Sequence, residues 1–135
     1  MVVLDSSFII AYHNARDVHH KAAVRAMDEL TTGKWGQALL LEYVFLEVVT
    51  VLSARRGLSV ASSVGTALLQ AGEIDFVPCS ELFLDALETF RNQTGTKLSF
   101  TDAAIVVVAR RQDVGVIASF DRDFRNIKEI TVIPR

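Results

Sequence analysis

The chain is nearly without cysteine. Cys79 is the only one, so no intrachain disulfide can form, and a reducing, cytoplasmic setting is compatible with that. It also lacks any apolar run near the roughly 18 residues that a membrane span needs, because polar or charged positions interrupt each one. Asp5 breaks the N-terminal apolar segment at once, so neither a secretory leader nor a membrane contact is expected. Basic charge is not in excess: 14 Lys and Arg face 16 Asp and Glu, a formal net charge of −2. That removes the usual electrostatic footprint of a general nucleic-acid binder. A nuclease survives the exclusion, since its site must itself be acidic to hold cations. Zinc chemistry finds no support, because His13, His19 and His20 offer no i, i+4 pair with an acid between them. The sequence also has no Ser-His-Asp arrangement of signature spacing, no Walker-type phosphate loop and no GxGxxG turn.

What remains is a half-hydrophobic chain of 135 residues. That length suits a single domain over 1–135, burying roughly 65–70% of its unfolded surface without metal or disulfide staples. No linker, repeat or low-complexity segment divides it. Apolar strands are expected at Val2 to Leu4, Ala38 to Leu41, Ile74 to Val77, Val116 to Ala118 and Ile130 to Ile133. Helices are expected between them: Ser6 to Tyr12, Asp17 to Leu30, Glu42 to Arg55, Ser59 to Ala71, Ser80 to Phe90 and one from Ser99, with Gly33, Gly57 and Gly72 as punctuation. Val18, Ala22, Ala26 and Leu30 form the inward stripe of the second helix, and Phe83, Leu87 and Phe90 that of the fifth. Cys79 reads as a small core residue after a strand. Alternating strands and helices predict an α/β fold, a parallel sheet covered on both faces with right-handed crossovers.

The chemistry concentrates between Ser99 and Phe124, SFTDAAIVVVARRQDVGVIASFDRDF. Ser99 followed by Asp102 matches a capping box, and Arg110 and Arg111 suit the negative end of the helix that follows. Asp121 closes the apolar run Val114 to Phe120, beyond a strand's carboxyl end, where open α/β sheets bind ligands. Asp5 repeats that arrangement after the first strand; as a lone residue it would equally suit a helix cap. Glu47 is the only charged residue between Tyr43 and Ala54, and Val44, Val48 and Val51 share its helical face. An unpaired carboxylate there would be costly, so it needs either an arginine or a cation. Glu42, at that helix's start, is explained by dipole compensation alone.

Asp5, Glu47, Asp102 and Asp121 are far apart in sequence, yet a parallel sheet with its switch point at the first strand would let them converge on one crevice. Clustered carboxylates repel and raise one another's pKa unless a cation neutralises them. Oxygen-only ligation points to Mg²⁺ or Mn²⁺. Such a site suits phosphodiester hydrolysis, with one ion generating hydroxide and a second stabilising the leaving oxygen.

The segments VVLDSSFIIAY, LLEYVFLEVVTVLSARRG, KLSFTDAAIVVVARR and GVIASFDRDF resemble the four acidic motifs of the PIN domain, in the family's order and across nearly the whole chain. DVHHKAAVRAM is similar to a helix common in that family. The resemblance implies a three-layer α/β/α Rossmann-like sandwich with a central parallel sheet, and Mg²⁺- or Mn²⁺-dependent cleavage of RNA. By position, Asp5, Glu47, Asp102 and Asp121 would be the catalytic metal-site acids, while Ser6, Ser119 and Asp123 would support them from beside matched positions. A short PIN chain most resembles the VapC-type toxin of a toxin–antitoxin pair, which implies a homodimer, an RNA substrate and a small antitoxin protein that covers the site. Related folds process RNA precursors or cut DNA. A non-catalytic PIN-fold binding module is the alternative from another class, and a phosphoryl-accepting receiver fits less well because Ser6, not a second acid, follows Asp5. Arg16, Lys34, Trp35, Arg55, Arg56 and Arg125 are candidates for an RNA groove. Arg55 and Arg56 equally suit a helix end, and Trp35 an interface. The apolar helices of 42–71 are the expected dimer contact.

Overall fold

In the computed structural model, which describes residues 1–112 and 115–135, five strands form one parallel sheet. They are β1 (Val2–Leu4), β2 (Ala38–Leu41), β3 (Ile74–Val77), β4 (Gly115–Ala118) and β5 (Ile130–Ile133). The helices are α1 (Ser6–His13), α2 (His20–Thr31), α3 (Glu42–Arg56), α4 (Leu58–Gln70), α5 (Phe83–Arg91) and α6 (Phe100–Arg110). Single 3₁₀ turns at Ser80–Leu82 and Arg122–Asn126 precede α5 and β5. Val114, the expected start of the second apolar run, lies outside the described residues.

The strand order is β3-β2-β1-β4-β5, every neighbour parallel. Succession therefore runs one way from β1 to β3 and the other way from β4 to β5. With right-handed crossovers, the helices of the first half cover one face and α5 and α6 the other, giving the three-layer α/β/α sandwich. The helix contacts agree: α1 packs on α2 and α3, α3 on α4, and α5 on α6. Between β1 and β4 the order reverses, and this switch point opens a crevice at the strands' carboxyl ends.

The central strands β1, β2 and β4 are buried along their whole length, as continuous apolar runs in a doubly covered sheet should be. Gly115 allows the closest approach in this region: a Cβ there would stand 2.9 Å from Ile130 Cδ1 and 3.0 Å from the Ala109 carbonyl oxygen. Gly57 separates α3 from α4 with φ of +90°, a conformation that a side chain would strain. Cys79 is buried just after β3, as expected. Among the described residues no helix is long and apolar enough to cross a membrane.

Two sequence expectations fail here. The second helix starts at His20 rather than Asp17, because Asn14 and Asp17 spend their side chains on the amides of Arg16 and His19, two residues on. Such turns compete with helix formation, and they leave Val18 89% exposed instead of buried. On α5 the buried positions are Leu82, in the preceding turn, and Ala86, whereas Phe83, Leu87 and Phe90 are exposed. Phe83 and Phe90 lie tilted against Phe100, so the apolar stripe is real but only partly covered.

Candidate active site

Four elements bring acids to the mouth of the switch-point crevice. Asp5 follows β1, and its amide donates to the Ala118 carbonyl (3.0 Å), continuing the β1–β4 ladder by one bond. Although it stands at the N-terminus of α1, its side chain does not cap that helix, so the cap reading of Asp5 fails. Its Oδ2 instead accepts from Ser119 Oγ at 2.6 Å and Ser7 Oγ at 2.7 Å. Asp5 is 3% exposed and Ser119 fully buried. Burial lifts the Asp5 carboxyl above its ordinary pKa and the Glu47 charge adds to the lift, while the two hydroxyls pull the other way.

Asp121 follows β4. Its Oδ1 accepts from the Asp123 amide (2.9 Å), capping the 3₁₀ turn, and its own amide donates to Ser119 Oγ (2.9 Å). Ser119 thus holds both strand-end aspartates, one by its proton and one by its lone pair. Asp102 sits in the first turn of α6 inside a complete capping box with Ser99, as the sequence predicts. Burial raises its pKa to about 6, assisted by the charges of Asp5 and Asp121. Glu47 is half-buried rather than enclosed: Val44 and Val48 turn into the core, while its Oε1 accepts a hydrogen bond from Ser6 Oγ. The arginine partner weighed for it is absent among the described residues, where none of the four acids forms an ion pair.

The acids therefore feel one another's charge without closing on a point. Among the described residues, no three His, Cys, Asp or Glu side chains are gathered tightly enough to ligate one ion. Each is held by its own donor: Asp5 by Ser7 and Ser119, Glu47 by Ser6, Asp102 by Ser99 and Asp121 by the Asp123 amide. The donor set, all carboxylate and hydroxyl oxygen with no basic side chain paired to it, is the chemistry that suits a hard divalent cation.

Ser7, in the first turn of α1, is a site residue that the sequence reading missed. It also lies 3.2 Å from Ser119 Oγ and accepts from the Phe120 amide (3.0 Å), so it ties the ends of β1 and β4 together. Its one sequence signal is its place two residues after a strand-end acid. Glu42 stands in the first turn of α3 as expected, and it also accepts from the Cys79 amide (2.9 Å), a tie between α3 and the end of β3 that the sequence did not suggest. Among the groove candidates, Lys34 and the Trp35 indole N–H both engage Glu29, and Arg125 donates to the Pro134 carbonyl. Arg16, Arg55 and Arg56 are exposed.

A family model for the PIN domain matches residues 2–130. The crystal structure of Mycobacterium tuberculosis VapC20, a Sarcin-Ricin loop cleaving toxin, superposes with a TM-score of 0.80, 25% identity and coverage of 93% of each chain. No curated protein matches the sequence.

Proposed function

This chain belongs to the PIN domain family, and from that premise we propose that it is a Mg²⁺- or Mn²⁺-dependent endoribonuclease, the toxin of a toxin–antitoxin pair. Residues 1–135 act as one domain around the crevice, with Asp5, Glu47, Asp102 and Asp121 as its catalytic metal-site acids. The observation that carries this is the switch-point cluster, where the charge of Glu47 helps raise the pKa of Asp5, those of Asp5 and Asp121 help raise that of Asp102, and no basic side chain among the described residues pairs with the four acids. The likeness to an RNA-cleaving toxin supports RNA as the substrate class.

Asp5, Glu47, Asp102 and Asp121 would hold the divalent ion, which would supply hydroxide at neutral pH and charge stabilisation for a leaving oxygen. The chain's own residues do the rest by orientation. Ser7 and Ser119 hold Asp5 Oδ2 with neutral donors, which fixes the carboxylate without cancelling its charge. Ser99 fixes Asp102, the Asp123 amide fixes Asp121, and Ser6 aims Glu47. Because Asp102 holds its proton up to about pH 6, cation binding weakens as pH falls through that value.

A homodimer through α3 and α4 fits the reading, since these helices leave Leu46, Leu58 and Leu69 more than half exposed. A small antitoxin covering the site, and action in the cytoplasm, complete it. The test is cleavage of total cellular RNA with Mn²⁺ or with chelator, cut sites being mapped by sequencing. Wild type cuts at discrete positions only with the ion, and Asp5→Asn lowers the rate about 10³-fold, on the order of 4 kcal/mol of barrier. Cutting that persists in chelator, or that Asp5→Asn retains, removes the metal site from the account.

A further inference from the structure

Beside the acidic crevice lies a ladder of three rings that the chemistry above does not use. Phe8 is fully buried; Phe120 stacks on it with centroids 6.2 Å apart and planes at 25°. His19 stacks in turn on Phe120, 4.3 Å away and within 7° of coplanar. His19 is exposed and Phe120 half-buried, so the ladder climbs from the core to solvent and ends on an open imidazole face.

The ladder is fastened to the acids. Phe120 stands between Ser119 and Asp121, and its amide donates to Ser7 Oγ, the hydroxyl that donates to Asp5. The turn carrying His19 is fastened independently of the imidazole: Asp17 Oδ1 accepts the His19 amide at 2.8 Å, and the His20 ring lies 2.8 Å from the Ala11 carbonyl oxygen. Among the described residues the His19 ring makes no hydrogen bond, so stacking alone sets its orientation. A turn that merely shielded Phe120 from water would use its apolar side chain. Here Val18 is 89% exposed and the polar imidazole takes the place on the ring.

A flat, exposed ring at the end of a rigid stack is the surface on which unpaired nucleobases settle. We infer that the outer face of His19 is a stacking shelf for a nucleobase flanking the bond that is cut, a positioning element that rests on the ribonuclease reading. Each base has a π-face, so the shelf is indifferent to sequence. It holds the strand in line beside Asp121.

The probe is a single-stranded RNA of eight adenosines carrying 2-aminopurine at each position in turn, with Ca²⁺ as the ion, against the same backbone with abasic riboses. Wild type and His19→Phe quench 2-aminopurine at one position on binding. His19→Ala loses that quenching and binds roughly ten-fold more weakly. On the abasic strand all three bind alike. Rescue by His19→Phe separates stacking from damage to the turn, and melting of the variants confirms that they fold. Equal binding of the adenosine strand by wild type and His19→Ala overturns the shelf, as does an equal loss on the abasic strand. A wild type that cuts cellular RNA yet binds the base-bearing strand no better than the abasic one overturns the shelf alone. A wild type that neither cuts nor binds overturns the ribonuclease reading with it.

Discussion

Asp85 on α5 and Asp5 after β1 are the same side chain under opposite treatment. Asp85 lies in solvent 2.9 Å from the Arg111 guanidinium, and Glu29 and Glu88 likewise have Lys34 and Arg91 beside them. Asp5 is buried, where a counter-charge would be worth far more, and is given two serine hydroxyls instead. The outer helices place cations where water already screens the charge, whereas among the described residues none pairs with an acid of the crevice. A hydroxyl can hold a carboxylate's orientation without neutralising it, so the crevice keeps its negative charge for something that comes from outside.

The contrast breaks most visibly if Mn²⁺ does not distinguish the two regions. In melting experiments wild type should gain about 2.7 kcal/mol at a hundred times the dissociation constant. Asp85→Asn should gain as much, and Asp102→Asn clearly less. Equal gains in all three would mean that the ion does not bind at the switch point.

A smaller effect sharpens it through pH. The folded Asp102 carboxyl has its pKa raised from 3.8 to about 6, so the folded chain holds this proton more tightly than the unfolded chain. The associated stability is fully present below about pH 4 and is lost as pH rises through about 6. In chelator, Asp102→Asn should therefore match wild type near pH 4 and exceed it above pH 6 by about 2 kcal/mol, discounted for partial solvent screening. The amide can still accept from the Ser99 amide, so the cap survives. A variant less stable than wild type at pH 7.5 would show that Asp102 is structural and not strained by its neighbours.

The smallest effect belongs to the surface. Arg111→Ala should change stability by no more than about 1 kcal/mol, shrinking further in high salt. A larger loss would mean that α5 depends on its ion pair, and the two regions would differ less than the burial indicates.

Much of this was readable from residue order. Strand and helix alternation, the Ser99–Asp102 box and the four PIN-like segments are local patterns, and local patterns survive folding. The exposure of Phe83, Leu87 and Phe90 was not readable, because a periodic stripe says which side of a helix is apolar and nothing about what covers it. Glu47 misled for a related reason: its valine neighbours go inward, but the glutamate stands at the stripe's edge and reaches Ser6. The turn at Asn14 to His19 outcompeted an extra helical turn through side-chain bonds that helix periodicity ignores. Ser7 and Ser119, whose hydroxyls meet across 112 residues of sequence, belong to a network that only the β1–β4 pairing creates.

That pairing also sets a schedule for the chain's own synthesis. β1 can find β2 early, but Asp5 waits for Ser119, 114 residues downstream, and for Asp121 two residues after it. Long-range contacts of this kind are the slow ones to form. A partly made chain therefore has Ser7 on Asp5 and Ser6 on Glu47 but neither Ser119 nor Asp121, so the crevice is completed only once β4 is in place.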